Sequence, residues 1–290
     1  MLNDQVKQVI SKLEERFELH LTKRARKRFL SMAGPSLLVM TFIEDGMRVF
    51  LRWGEQYAYM TGRMGFNSFF ATIILLTSAA VQLGGSALVI RPSTFQPPRV
   101  KPAAYTLLGF TAVQPFIYGQ ATDIDFMCRS ITLAGGLLLL IWAETERKQL
   151  HEDRGLLLQG ESGPASDRFQ FSGRLLLTSM FFFQAIAGEQ GGLHSVLSAP
   201  GLFNIVSSLL LLSLSIMVCI GFKTEWSAIL LTFMLGIANC WMYPFWAVHA
   251  RLVDYYKYYF FQTLSVMGGL MLLTLHGPGG LSLDGQKKGL

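Results

Sequence analysis

The stretch FMCRSITLAGGLLLL occupies residues 126–140, and a similar stretch, YFFQTLSVMGGLMLL, returns at residues 259–273. Both are largely apolar, as helices inside a bilayer must be, and both carry a Gly-Gly pair at the same place, 135–136 and 268–269. Small residues let helices approach closely within a membrane. The two stretches therefore predict a helical membrane protein with two related halves, in which the glycine pairs are packing points between helices.

The composition of the whole chain agrees with a membrane protein. Hydrophobic residues make up 51% of the 290 residues and charged residues only 15%, and the apolar residues form long runs. A bilayer core requires about 20 mainly apolar residues per helix. The runs predict an all-α polytopic protein with about eight transmembrane helices, at residues 30–51, 68–90, 103–119, 129–143, 173–188, 202–221, 226–246 and 258–275.

A second, weaker alignment supports the two halves. GPSLLVMTFIEDG (34–46) matches GRLLLTSMFFFQA (173–185). Four helices separate the copies, so both halves have the same orientation, as in a parallel repeat about an axis along the membrane normal. The alternative is chance similarity between apolar segments.

The basic residues predict the orientation of the chain. Of its 25 Lys and Arg residues, 19 fall on the side of the two termini and six on the opposite side, so we expect both termini in the cytoplasm. The net charge of +6 then reflects topology, and we expect no nucleic-acid partner. The predicted parts are a cytoplasmic amphipathic and basic segment (1–28), a first four-helix repeat (29–143), a cytoplasmic linker (144–172), a second four-helix repeat (173–276) and a cytoplasmic tail (277–290).

Catalytic motifs are missing from the sequence. It has no Gly-rich phosphate loop, no HExxH, no GxSxG and no cysteine pair at metal spacing, and its histidines are dispersed. We therefore expect no enzymatic activity, no cofactor and no metal site.

Charged residues inside the first predicted span are unusual. Glu44, Asp45 and Arg48 follow an apolar run near its far end, and their spacing of three and four residues puts them close together on a helix. A charge at this depth is costly unless it is paired or faces water. Either the three residues join a helix to its neighbours, or they line a cleft with three charges of the second loop on the non-cytoplasmic side, namely Asp123, Asp125 and Arg129.

The second half has fewer charges at the matching place. Gln184 aligns with Asp45, so any site is asymmetric. Secondary candidates are Asn239 and Tyr255, together with the neighbouring Tyr243, Asp254 and Tyr256. The alternative roles for these side chains are hydrogen bonds between helices and anchoring at the membrane interface.

Several motifs resemble the surfeit locus protein 4 family in order along the chain. They are TFIEDGMRVFLRWGEQ (41–56), SITLAGGLLLL (130–140), IGFKTEWSA (220–228), YFFQTLSVMGGL (259–270) and GPGGLSLDGQKKGL (277–290). The halves also resemble the DoxX-like four-helix membrane fold, which agrees with the predicted repeat.

The resemblance implies a cargo receptor that cycles between the endoplasmic reticulum (ER), the intermediate compartment and the Golgi. Such receptors bind soluble secretory proteins in the ER lumen, often through the newly exposed N-terminus. They leave the ER with the COPII coat and return with the COPI coat. Lys287 and Lys288 in the ending KKGL then form a dilysine retrieval signal.

The resemblance also gives the predicted cleft a ligand. A carboxylate there could accept the ammonium of a cargo N-terminus while apolar walls take its first side chains. Competing interpretations are a transporter or scramblase for a small molecule or lipid, and a subunit associated with a membrane oxidoreductase. Membrane lipids are expected contacts, and self-association into a homo-oligomer is left open.

Overall fold

Helices form wherever the sequence carries a long apolar run, because a helix satisfies its own backbone hydrogen bonds where water is absent. A computed structural model describes residues 23–90, 100–156, 164–187, 202–249, 252–277, 279 and 282. Every regular element in these ranges is helical. The elements are α1 (Lys23–Leu38), α2 (Met40–Leu51), α3 (Trp53–Ala58), a π-helical turn (Tyr59–Arg63), α4 (Ser68–Ile90), α5 (Val100–Ile117), α6 (Ile124–Leu156), α7 (Pro164–Ala187), α8 (Leu202–Ile220), α9 (Thr224–Met242) and α10 (Val253–His276).

Four helices of the described part are long and apolar enough to cross a membrane. They are Ser68–Ile90, Ile124–Arg147 within α6, Thr224–Met242 and Val253–His276. These correspond to the second, fourth, seventh and eighth predicted spans, and they confirm a polytopic helical membrane protein. The other four predicted spans are also occupied by helices, namely α1 with α2, α5, α7 and α8.

The first predicted span is interrupted by one residue. Val39 separates α1 from α2, four residues after Pro35, which lies inside α1 and has no N–H to donate. The Val39 N–H still donates to the Pro35 carbonyl at 3.3 Å, and the Ile43 N–H donates to the Val39 carbonyl at 3.1 Å. The interruption is therefore local, and hydrogen bonds continue across it.

Helix α6 extends well beyond the predicted end of the fourth span at residue 143. It continues to Leu156, and α7 begins at Pro164, so the predicted linker 144–172 contains the ends of two helices. Arg147 donates to Glu144 one turn earlier at 3.3 Å, which supports the polar part of α6. The polar sequence has no apolar face and therefore predicts a surface connection, but a polar helix can extend from an apolar one.

The two glycine pairs lie at close helix contacts, as predicted. A Cβ added to Gly135 of α6 would lie 2.8 Å from the carbonyl oxygen of Gly173 in α7. A Cβ added to Gly268 of α10 would lie 2.7 Å from the carbonyl oxygen of Gly34 in α1. Gly34 and Gly173 are the residues that the weaker sequence alignment pairs, so the two contacts are equivalent.

The second glycine of each pair lies at a close contact between α6 and α10. A Cβ on Gly269 would lie 3.3 Å from the Cα of Gly136, and one on Gly136 would lie 3.7 Å from the Cα of Gly269. Leu177 of α7 packs over Gly269, and the aligned Leu38 of α1 packs over Gly136. The contacts between α6 and α10 are therefore reciprocal.

The buried apolar residues of the described part form two main clusters. The first contains side chains from α1, α2, α4, α5 and α6, with Leu272 of α10 added. The second contains side chains from α7, α8, α9 and α10, with Leu139 of α6 added. A smaller third cluster includes Val49, Met60 and Leu75 and lies where α2 ends.

Candidate functional site

A cavity of about 420 Å³ opens where α2 ends and where α6 and α10 begin. We call it the acidic cleft. Six of the eight predicted cargo-binding residues line it, namely Asp45, Arg48, Asp123, Asp125, Arg129 and Tyr255. The sequence placed these residues in separate segments, and the fold brings them to one cavity.

Arg48 is shared between two carboxylates on its own helix. It pairs with Asp45 three residues earlier, and its Nη2 lies 3.6 Å from the Oε2 of Glu44 four residues earlier. Asp45 is buried, and the Arg48 guanidinium lies 5.7 Å from the centre of the Tyr258 ring. Two acids and one base leave this group with a net negative charge.

Arg129 is held by a second set of contacts at the start of α6. Its side chain is only 2% exposed, and its Nε donates to the Oδ2 of Asp125 at 2.9 Å. The guanidinium carbon lies 4.3 Å from the centre of the Tyr259 ring, and the Tyr259 hydroxyl donates to the same Asp125 oxygen at 3.3 Å. Asp125 therefore has its charge compensated.

Asp123 begins α6 as a cap. Its Oδ1 accepts the backbone N–H groups of Asp125 at 3.1 Å and Phe126 at 3.3 Å, which would otherwise have no partner at the first turn. The residue is exposed, and no ion pair joins it to a cation within the described part of the chain. It adds a negative charge at the mouth of the cleft.

The charges of the cleft do not cancel. Its lining includes the four carboxylates of Asp45, Asp123, Asp125 and Asp254 against the two guanidinium groups of Arg48 and Arg129. Asp254 pairs at 3.0 Å with Arg52, which lies outside the lining. The surplus is negative, so the cleft is suited to a cationic ligand.

Sequence reasoning missed most of the uncharged polar lining. These residues are Gln56, Tyr59, Gln82, Gln114, Tyr118, Gln120, Tyr258 and Tyr259. Glutamine inside an apolar span was the available signal, because Gln82 and Gln114 fall within predicted spans. Gln82 is 2% exposed, and its Oε1 accepts no hydrogen bond among the described residues.

Glu44 does not line the acidic cleft, in contrast to the prediction. Consecutive helical residues point about 100° apart, so Glu44 and Asp45 face different surroundings. Glu44 lines a second cavity of about 510 Å³, with apolar side chains such as Met40 and Met47. Arg48 lines both cavities.

Asn239 also lies outside the cleft. Its Nδ2 donates to the carbonyl of Phe260 at 3.1 Å, which joins α9 to α10. Tyr243 stacks on Tyr259 with ring centres 5.3 Å apart, and Tyr256 packs edge-on against Tyr243. These contacts agree with the alternative role of these side chains, which is to join neighbouring helices.

Three predicted residues are not described in the structure. The side chain of Gln184 and the whole of Lys287 and Lys288 lie outside the described residues. Among the residues that are described, no group of three or more His, Cys, Asp or Glu side chains is placed to hold a metal ion.

Known proteins resemble this chain over nearly its whole length. The family model described as "SURF4 family" matches residues 7–290. The "Surfeit locus protein 4 homolog" of Drosophila melanogaster is 33% identical over 264 residues, which cover 90% of this chain and 91% of that protein. The Schizosaccharomyces pombe protein of the same name is 32% identical, over 90% of this chain and 82% of its own.

A relative from budding yeast is similar at lower identity. The "ER-derived vesicles protein ERV29" of Saccharomyces cerevisiae is 29% identical over 90% of this chain and 78% of its own length. No solved structure matches the chain. On the family match and the identities above 30%, the chain belongs to the SURF4 family.

Proposed function

We propose that this protein is a cargo receptor of the ER membrane that binds soluble secretory proteins by their N-termini in the acidic cleft. It enters COPII vesicles with its cargo, passes through the intermediate compartment and Golgi, and returns with COPI. The observation that carries the proposal is the cleft, in which a surplus of carboxylates faces aromatic and amide side chains. The name of the yeast relative, a protein of ER-derived vesicles, supports the proposed location.

The chemistry of the cleft fits the α-ammonium of a chain that has lost its signal peptide. Glu44 and Asp45 both pair with Arg48, so Glu44 can keep Arg48 neutralised while Asp45 turns an oxygen to an incoming ammonium. A charge-assisted hydrogen bond in a half-buried site is stronger than one between neutral groups. Asp45 is thus the proposed counter-ion of the cargo amine.

Aromatic rings provide the apolar part of the proposed site. Tyr255, Tyr258, Tyr259 and Phe126 line the cleft. Tyr255 is 53% exposed, and its ring centre lies 4.5 Å from that of Tyr259. Such rings can cover the first side chains of a bound peptide and can also contact its cation through their faces. Because its ring is exposed in the cleft, Tyr255 is proposed to contact cargo.

The proposed architecture is eight spans in two parallel, DoxX-like four-helix repeats, 29–143 and 173–276, joined by the cytoplasmic segment 144–172. The equivalent contacts of Gly135 and Gly268 support it, and so do the two main clusters of buried apolar residues. In this arrangement both termini are cytoplasmic and the acidic cleft faces the lumen. The segments 1–28 and 277–290 then meet the cytosol.

The second cavity favours a competing function, the transport or scrambling of a lipid or small molecule. It combines Glu44, Arg52 and Lys257 with apolar side chains, and it shares Arg48 with the acidic cleft. Lumenal proximity labelling separates the two functions. A receptor enriches soluble secretory proteins, whereas recovery of lipids and membrane enzymes alone favours the transporter.

Replacing Asp45 with asparagine tests the receptor directly. The change removes the proposed counter-ion and keeps the shape of the side chain, so cargo affinity is expected to fall about tenfold to a hundredfold. Glu44→Gln is expected to have a smaller effect, because it reduces the local negative charge without removing a group of the cleft. Secretion rate of cargo and co-purification of cargo with the receptor are the measurements.

Glu55→Gln is the matched control for the Asp45 variant. Glu55 pairs with Arg52 at 3.0 Å, is largely exposed and does not line the cleft, so cargo export is expected to be normal. Normal export by the Asp45→Asn variant, with the protein folded and in the ER, would contradict the proposed binding role.

The proposed retrieval signal has its own test. Replacing Lys287 and Lys288 with alanine is expected to shift most of the steady-state protein from the ER to the Golgi and beyond, because COPI recognises both lysines. Fluorescence microscopy with compartment markers measures the shift. An unchanged ER distribution would show that retrieval depends on another signal, and changing Lys223 to alanine is the control for loss of a cytoplasmic lysine.

A further inference from the structure

A hydroxyl group of α10 is inserted into the backbone hydrogen bonds of the first predicted span. Where α1 meets α2, the Thr41 N–H donates to the Oγ of Ser265 at 3.1 Å, and this Oγ donates to the Leu37 carbonyl at 3.2 Å. In a regular helix the Thr41 N–H donates directly to the carbonyl four residues earlier, which is that of Leu37. A side chain inserted between the two bends a helix, and Val39, with a ψ of 2°, lies at this bend.

The Ser265 hydroxyl has a second acceptor on its own helix. Its Oγ also lies 3.2 Å from the carbonyl oxygen of Phe261, one turn earlier in α10. If α1 and α2 straighten, Thr41 donates directly to Leu37 and Ser265 donates to Phe261 alone. Each of these polar groups then keeps a partner, which is essential because Ser265 is fully buried. A bent and a straight form are therefore both compatible with complete hydrogen bonding.

The helices on the two sides of the bend are held with different firmness. Helix α1 is fixed against α10 by backbone contacts, since a Cβ on Gly268 would lie 2.7 Å from the carbonyl oxygen of Gly34. Helix α2 approaches α4 at Gly46, where an added Cβ would meet the Cγ of the Leu83 side chain at 2.8 Å. A leucine side chain can change its rotamer, whereas a backbone cannot. A change of bend therefore moves α2 and leaves α1 in place.

The second half contains the same pair of helices without a bend. The sequence alignments pair Ser265 with Thr132 of α6, and α7, the counterpart of the first span, runs unbroken over Pro164–Ala187. The Thr132 hydroxyl donates to the carbonyl of Cys128 on its own helix at 2.9 Å, and its contact with α7 is to the side-chain hydroxyl of Ser179 at 3.2 Å. These are the contacts that the straight form requires of Ser265. The second half thus provides an example of the straight form.

We infer that the first span is a two-state hinge at Val39, which exchanges between the bent form and a straight form with a direct hydrogen bond from Thr41 to Leu37. Asp45 lies six residues beyond Val39, about 9 Å along α2. A change of bend of about 20° moves it by about 3 Å, which alters the width of the acidic cleft. The motion does not depend on which ligand the cleft takes, so the hinge goes beyond the proposed function.

Two substitutions are expected to shift the hinge in opposite directions. Ser265→Ala removes the inserted hydroxyl, so Thr41 and Leu37 bond directly and the straight form dominates. Thr41→Pro has no N–H to donate, and the proline ring clashes with the Leu37 carbonyl in a straight helix, so only the bent form remains. Thr132→Ala is the matched control, because it removes the aligned hydroxyl beside a helix that is already continuous.

Distances between two spin labels report the two forms in the full chain, reconstituted in lipid nanodiscs with its three native cysteines replaced by alanine. One label is placed at the exposed Leu51, about 18 Å beyond Val39, and the other at the exposed Ile237 of α9 or Val113 of α5. The wild type is expected to give two populations that differ by up to about 6 Å. A label at Met32 of α1, paired with Ile237, is expected to give one distance in every variant.

Loss of opposite populations in Ser265→Ala and Thr41→Pro, with a wild-type distribution in Thr132→Ala, supports the hinge. A single population in the wild type that neither substitution changes overturns it. Equal changes at Met32 and Leu51 also overturn it, because the bundle then rearranges as a whole. If Ser265→Ala does not fold, Thr41→Pro decides by itself, since a straight population that survives the loss of the Thr41 N–H contradicts the hinge.

Discussion

Replacing Gly268 with alanine is expected to push α10 away from α1 and to lower the free energy of unfolding by about 3 kcal/mol. The added Cβ would lie 2.7 Å from the carbonyl oxygen of Gly34 and would also meet the backbone of Leu38. Backbone atoms cannot rotate out of the way as the end of a side chain can. Helices inside a membrane associate through close packing, so a forced separation loses much of the contact.

Gly135→Ala is expected to have an effect of the same size. Its Cβ would lie 2.8 Å from the carbonyl oxygen of Gly173 in α7, which is the equivalent contact in the other half. The melting temperature of each purified variant, measured by size-exclusion chromatography after heating, shows whether the two variants lose stability to the same extent. Equal losses support the two-repeat architecture, whereas a large loss at one site and none at the other would contradict the equivalence of the halves.

The same substitution has matched controls on α4 and α5. No neighbouring heavy atom lies within 4 Å of a Cβ added to Gly84 or to Gly109. Alanine also favours helix over glycine by about 1 kcal/mol, so Gly84→Ala and Gly109→Ala are expected to be neutral or slightly stabilising. A loss of stability in these controls as large as that in Gly268→Ala would mean that glycine matters for another reason than close packing.

The glycine contacts could be predicted from the sequence because two similar apolar stretches carry a Gly-Gly pair at the same place. The Gly-Gly pairs aligned within two apolar stretches, and this marked them as packing points before any partner was known. The sequence does not show which helix each Gly-Gly pair contacts, because residue spacing defines a face of one helix but does not identify the neighbouring helix. Gly34 and Gly173 became identifiable as partners only in the folded chain.

The charged part of the cleft was predictable for a different reason. Charges are so unfavourable in an apolar span that Asp45 and Arg48 draw attention wherever they lie. The same reasoning could not separate Glu44 from Asp45, because their directions depend on how α2 is rotated against its neighbours. Gln82 was missed because a single amide in an apolar run is an ordinary feature of a membrane helix.

Helix length was the other feature that hydropathy alone could not give. The apolar run of the fourth span ends near residue 143, and hydropathy therefore predicts that the helix ends there. Helix α6 continues to Leu156 because helix propensity and pairs such as Glu144 with Arg147 act without any need for an apolar face. Hydropathy predicts which part of a helix suits the membrane rather than where the helix ends.

Replacing Asp125 with leucine is expected to destabilise the protein by about 3 kcal/mol, although Asp125 is the more exposed member of its ion pair. The Asp125 side chain is 39% exposed, whereas that of Arg129 is 2% exposed. Leucine at position 125 leaves a buried guanidinium without its counter-ion, and Tyr259 can compensate only in part. Arg129→Met is expected to cost less, because the remaining carboxylate reaches water.

The double variant Asp125→Leu/Arg129→Met is expected to recover most of the stability lost in Asp125→Leu. Removing both members eliminates the unpaired buried charge, and apolar side chains of similar size can fill the space. Glu55→Leu is the control, since it removes one of the two carboxylates that pair with the half-exposed Arg52 and is expected to change stability by less than about 1 kcal/mol. A double variant as unstable as Asp125→Leu would contradict the proposed origin of the loss.

The double variant also separates a structural pair from a binding pair. With Asp125 and Arg129 gone, the cleft still has Asp45, the proposed counter-ion of the cargo amine, and Asp123, the carboxylate at its mouth. Cargo capture by the stable double variant is therefore expected to persist. Loss of capture at normal stability would instead make Asp125 a direct partner of the cargo amine, and the Asp45→Asn variant would then be expected to retain binding. Cargo capture by these variants therefore shows whether Asp45 or Asp125 is the partner of the cargo amine.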